Sequence, residues 1–236
     1  MTFLHPTEPD GQPNPVRTVA CSPNGRFAMS GAGNVVFLWD VESGKRIREF
    51  KGHKGEVLTV VFSPDGRYAL SGSSAGDNDR DLLMLWEIET GNRLQTFQED
   101  DVVCSAVFSS DGRRVLSAGK DRLCLWDAFT GKCLRVFHRP QDRTRRVALS
   151  PDGHFILEVS KKDIFSDSTI LRILNMETGA CLRTLPDFHG MISTIQFAPD
   201  QLTFAMGGYG SGIHFLNWNE FWQVKSPFRL SNPLSG

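Results

Sequence analysis

The chain has 236 residues, 40% apolar and 22% charged, enough for one domain or a short array that buries roughly 70% of its unfolded surface. Twenty-six basic against 27 acidic residues leave a net charge of −1, which supplies no general attraction to nucleic acid or to an anionic membrane. No apolar stretch is long enough to cross a bilayer, and the start MTFLHPTEPDG lacks both the basic and the apolar region of a secretory leader, so a cytoplasmic protein is expected.

A proline-rich lead, residues 1–15 with Pro6, Pro9, Pro13 and Pro15, precedes a first strand over Val16–Cys21 and the turn SPNG at Ser22. After it come Trp39 in FLWD and Gly44, and the same order then repeats. The second unit shows it most fully, with strands expected at Val57–Phe62, Tyr68–Ser71, Leu82–Trp86 and Arg93–Phe97, here termed a, b, c and d. The third unit has SSDG at Ser109, Trp126 and Gly131; the fourth has SPDG at Ser150, Leu174 and Gly179. A fifth is eroded, with APDQ at Ala198, Leu216 at the tryptophan position and FWQVK (Phe221–Lys225) as its candidate strand d. In the SPDG turn, proline fixes φ at the second position and glycine takes the positive φ that closes the hairpin.

The turn anchors Pro23, Pro64, Ser110, Pro151 and Pro199 lie 41, 46, 41 and 48 residues apart. A period near 40–45 is that of a four-stranded blade, and no apolar pattern of period 3.6 persists long enough for a substantial helix. The expectation is an all-β propeller of antiparallel four-stranded blades, spanning 16–225 in units of about 16–53, 54–98, 99–138, 139–188 and 189–225, with a tail at 226–236. The stretch from tryptophan position to next turn anchor is 24 or 25 residues throughout, whereas turn anchor to tryptophan takes 16, 22, 16, 23 and 17. Length variation therefore falls between strands b and c, as SSAGDNDRD (Ser73–Asp81) and SKKDIFSDS (Ser160–Ser168).

The ordered motifs GH, SPDG, SG, LWD or LWE, and TG over Val16–Lys225 resemble the WD-repeat (tryptophan–aspartate) β-propeller family, in the near-consensus style of bacterial signalling proteins. The resemblance implies a buried structural network of a GH histidine, a strand b Ser or Thr, a b–c turn Asp and the strand c Trp. Unit two supplies His53, Ser71, Asp81 and Trp86. Unit three supplies Ser117, Asp121 and Trp126, with EDD where GH belongs, and unit one supplies Ser30 and Trp39. It also implies that b–c and d–a loops share a face that receives protein or peptide partners. The candidate contact residues there are Asp77, Asn78, Asp79 and Arg80; Glu99, Asp100 and Asp101; Arg143, Arg145 and Arg146; and Lys161, Lys162 and Asp163.

Catalytic and metal signatures are lacking. Asp77, Asp79 and Asp81 imitate a calcium loop, but Leu82 stands where glycine is needed and Ile88 where the bidentate glutamate belongs. The six histidines form no HxH or HExxH, no serine sits in GxSxG, and the five cysteines form no CxxC. The sequence thus points to a noncatalytic interaction scaffold without cofactor, nucleic-acid or membrane partner. The alternatives are the regulatory propeller of a larger kinase-type signalling protein, or a propeller enzyme. Five units either close by packing alone or form an open arc of a longer array, whose bare end faces would self-associate.

Overall fold

The computed structural model describes residues 5, 14–75, 81–138, 143–161, 169–188, 191–198, 202–209 and 212–218, with the side chains of 143–145, 186–188 and 191 left aside. The chain is a series of antiparallel meanders. Blade one is β1 (Val16–Cys21), β2 (Phe27–Ala32), β3 (Val35–Asp40) and β4 (Arg46–Lys51). Blade two is β5 (Val57–Phe62), β6 (Tyr68–Ser73), β7 (Asp81–Glu87) and β8 (Arg93–Gln98). Blade three is β9 (Ser105–Phe108), β10 (Arg114–Ala118), β11 (Arg122–Asp127) and β12 (Cys133–His138). Blade four is β13 (Arg143–Leu149), β14 (Phe155–Lys161), β15 (Thr169–Asn175) and β16 (Cys181–Phe188). The fifth sheet is β17 (Met191–Phe197), β18 (Thr203–Tyr209) and β19 (Gly212–Asn217), three strands among the described residues. The strand expected at Phe221–Lys225 lies outside them.

The turns form as their residues require. In blades one to four the serine hydroxyl donates to the Asn or Asp two residues on, at 2.7 Å for Ser22–Asn24 and 2.5 Å for Ser63–Asp65, Ser109–Asp111 and Ser150–Asp152. The same hydroxyl accepts the first backbone N–H of strand b at 2.9 Å. Each turn closes on a glycine in the left-handed region, such as Gly66 at φ 71°. The aspartate after the tryptophan is likewise a turn residue: Asp127 accepts from the backbone and hydroxyl of Thr130.

The hydrophobic core lies between blades. Each joint combines the forward face of one sheet with the back face of the next. Leu70, Leu83, Leu85 and Phe97 of blade two meet Val103, Ala106, Cys124 and Trp126 of blade three. Phe50 packs at a tilt against Trp86 across the preceding joint at 5.5 Å between centroids, and Phe97 packs edge-to-face against Trp126 at 5.6 Å. Trp39, on the back of blade one, instead meets the ring of His5 from the proline-rich lead at 5.1 Å. Leu174 and Leu216 occupy the tryptophan register, opposite Ile156 and Phe204 as Trp86 is opposite Ala69. Blade contacts follow chain order, chiefly from one strand a to the next, and no contact of that extent joins fifth blade to first among the described residues.

Candidate functional site

Strand registers place the b–c and d–a connections at one end of the blades. Val35 at the start of strand c lies beside Ala32 at the end of b and Lys51 at the end of d, and Val16 at the start of a pairs with Ala32. The b–c turn even touches the next blade's entry: Val57 N–H donates to the Gly33 carbonyl at 2.7 Å, and Val103 N–H to that of Ser73 at 3.0 Å. At this face the b–c connections span 33–34, 74–80, 119–121 and 162–168 in blades one to four. The opposite face carries the near-identical turns described above. One face is uniform, the other individual.

Beneath the individual face lies a buried polar network that differs from blade to blade. In blade two the Ser71 hydroxyl accepts Trp86 Nε1–H at 2.7 Å and lies 2.6 Å from His53 Nε2. In blade one the Ser30 hydroxyl accepts Trp39 Nε1–H at 2.7 Å. In blade three Ser117 accepts Trp126 Nε1–H at 2.9 Å and donates to Glu99 Oε1. Glu99 stands 18 residues before Ser117, as His53 does before Ser71, and is 2% exposed. Glu99 therefore replaces the histidine of this network, which corrects its reading as a partner-contact residue. Burial pushes its carboxyl above the ordinary range, against the opposing effects of Ser117 and of the Arg122 guanidinium 3.8 Å away. Beside it, burial and the Glu99 charge raise the Cys124 thiol.

Asp81 and Asp121 do not behave alike. Asp81 opens β7 and accepts from Gln98 Nε2 at 3.4 Å, whereas Asp121 is exposed in the turn before β11. In blade three the charged companion is Arg122, whose guanidinium pairs with the carboxylates of Glu99 and Asp100. In blade four the serine position holds Glu158, fully buried and opposite Arg172, whose Nη1 donates to Ser160 at 2.7 Å. The signal for these substitutions is present as fixed offsets: the strand b position lies seven residues beyond each turn anchor, Pro23, Pro64, Ser110 and Pro151, and Glu99 lies 18 before Ser117 as His53 does before Ser71. A motif search that demands the consensus residue passes over them.

The remaining candidate contacts divide. Asp100 is exposed and pairs with Arg122 Nη1 at 2.9 Å, and Asp101 accepts Val102 N–H at 2.8 Å. Arg146 points across a joint, donating to the Cys104 carbonyl at 2.8 Å. Lys161 ends β14 half-buried, and Arg143 and Arg145 lie on β13 with side chains left aside. Asp77, Asn78, Asp79, Arg80, Lys162 and Asp163 lie outside the described residues. Among the described residues no group of three or more His, Cys, Asp or Glu is placed to hold a metal ion. No helix among the described residues is long and apolar enough to cross a membrane.

Comparison with known proteins agrees with this architecture. The family model described as WD domain, G-beta repeat matches residues 6–40, 44–81 and 91–127. Transducin beta-like protein 3 of Rattus norvegicus is 28% identical over 170 residues, 70% of this chain and 21% of that protein, so the chain spans about a fifth of the relative's length. Hydrazine synthase of Kuenenia stuttgartiensis superimposes with a TM-score of 0.72 at 16% identity, covering 87% of this chain and 58% of that one, a likeness of fold alone. WD-repeat propellers typically bind other proteins. With the repeat matched in three segments, and with four four-stranded blades and a three-stranded fifth sheet among the described residues, the chain carries the WD repeats of that β-propeller family.

Proposed function

We propose that this protein is a noncatalytic scaffold that presents the b–c and d–a connections of its individual face to a protein or peptide partner. The supporting observation is the confinement of length variation to that face, at 74–80 and 162–168, over turns that otherwise repeat closely. A rigid blade tolerates such insertions, and recognition concentrates on loops held by a rigid base. Asp100 and Asp101 belong to the contact surface in this reading, as do the charged residues of the two long connections. A cytoplasmic setting is part of the same proposal, since all five cysteines are free thiols.

The test replaces 74–80 and 162–168, singly and together, by the two-residue turn of blade one. Partners captured from a lysate by the full chain are then compared with those captured by the variants. Loss of a partner with an unchanged melt supports the reading. Retention of every partner by the double variant overturns the choice of face.

A further inference from the structure

The two ends of the blade series expose the surfaces that every internal joint buries. At each joint the back face contributes a small apolar residue from strand a: Val60, Ala106, Val147 and Ile195 are all buried, Val60 at 3% exposure, whereas Val19 at the same register in blade one is 73% exposed. The forward face contributes two residues from strand c. Leu83 and Leu85 of blade two are 0% exposed, and Ile213 and Phe215, their counterparts in the fifth blade, are each 72% exposed. Tyr209 and Val16 extend the two bare patches. Strand b glycines give the same reading. A Cβ on Gly31 would meet Val57 of the next blade at 2.6 Å, and one on Gly72 would meet Val103 at 2.6 Å. Gly207 holds that register in the fifth blade, and the nearest atoms to its Cβ position belong to its own hairpin, Gly212 and Ile213.

A blade face left open to water stays unassociated only if it is polar, and the open faces of the first and fifth blades are apolar. We propose that the forward face of the fifth blade, at Ile213, Phe215 and Tyr209, docks on the back face of the first blade, at Val16 and Val19, of a second copy of this chain. The contact continues the interface already made four times inside the chain. A second copy carries the matching face, with valine on the receiving strand as at Val57 and Val60. His5 covers Trp39 at the outer part of the receiving face, while β1, the strand equivalent to those that dominate the internal joints, is left open. The contact is heterologous, because it uses different patches on the two copies. It does not depend on the loop-face reading, and neither 74–80 nor 162–168 takes part.

The experiment is light scattering on the full 236-residue chain across a wide concentration range, with Val19→Asp and Ile213→Asp. The wild type is expected to rise above monomer mass with concentration, and each variant to remain a monomer. An equimolar mixture of the two variants is expected to form a dimer that grows no further, because one supplies an intact forward face and the other an intact back face. A wild-type monomer at every concentration overturns the proposal, as does a variant that keeps the wild-type mass. Two variants that stay monomeric when mixed overturn the head-to-tail arrangement. Phe215→Asp, on the same exposed face, takes the place of Ile213→Asp should the latter melt early.

Discussion

Glu99 offers the sharpest test of the network, because position and chemistry assign it opposite roles. If Glu99 were a loop contact, Glu99→Ala would change stability by less than about 0.5 kcal/mol, as surface substitutions do. In the structure it is buried, accepts the Ser117 hydroxyl and faces Arg122. Removing a charged hydrogen-bond partner costs about 1.5–3 kcal/mol. Two features limit the loss: Ser117 keeps the Cys124 carbonyl at 3.3 Å as an acceptor, and Arg122 keeps Asp100 at 2.9 Å. The truncated methylene and carboxyl leave a void beside Cys124 that adds to the loss. The expected destabilisation is about 2–3 kcal/mol, which in a domain of this size lowers the melting temperature by roughly 5–10 °C. Urea denaturation read by tryptophan fluorescence measures it, since Trp126 shares the Ser117 hydroxyl. A loss below about 0.5 kcal/mol, or a loss of partner binding without a loss of stability, would refute the assignment.

Glu99→Gln separates charge from shape. The folded carboxyl titrates above its ordinary value of 4.5, so its stabilising contribution is full below that pH and declines as pH rises through the folded value. The stability advantage of wild type over Glu99→Gln is therefore expected to shrink as pH rises from about 4.5; a difference that is flat or grows with pH contradicts the burial argument. At the joint between blades two and three, Gly72→Val places a Cβ 2.6 Å from Val103 Cγ1 and 2.8 Å from Thr59 Cγ2. Overpacking of this kind costs about 1–3 kcal/mol, read as a lower urea midpoint, and an unchanged midpoint would mean that the joint yields without penalty.

The blade pattern was legible in the sequence because it rests on local chemistry. A Ser-Pro-Asp-Gly turn dictates its own hydrogen bonds, and alternating β-branched residues fix strands within a residue or two, as at Val57–Phe62. Even the eroded tryptophan at Leu216 was found by counting, and the strand register agrees. The network was harder, because its members are chosen by what surrounds them in three dimensions. Asp121 matches the motif yet lies in solvent, while Glu99 breaks the motif yet sits inside it. The difference is Arg122, whose guanidinium reaches Glu99 and Asp100 alike, and nothing in a one-dimensional pattern gives that arginine priority over its neighbour. Bare end faces follow from counting units, but which residues form them does not: Ile213 reads as core by composition, and among the described residues no sheet stands in front of it.

A chain written as near-copies must also keep its copies from exchanging places while it folds, since tandem repeats misassemble by docking a loop on the wrong neighbour. The Glu99–Arg122 substitution bears on that hazard. Were the Glu99 loop to slip one blade along, it would find Glu158 where Ser117 should be, carboxylate against carboxylate in a buried setting. Divergence at this one position gives the third blade an address that its turns and strands, shared with the others, do not provide.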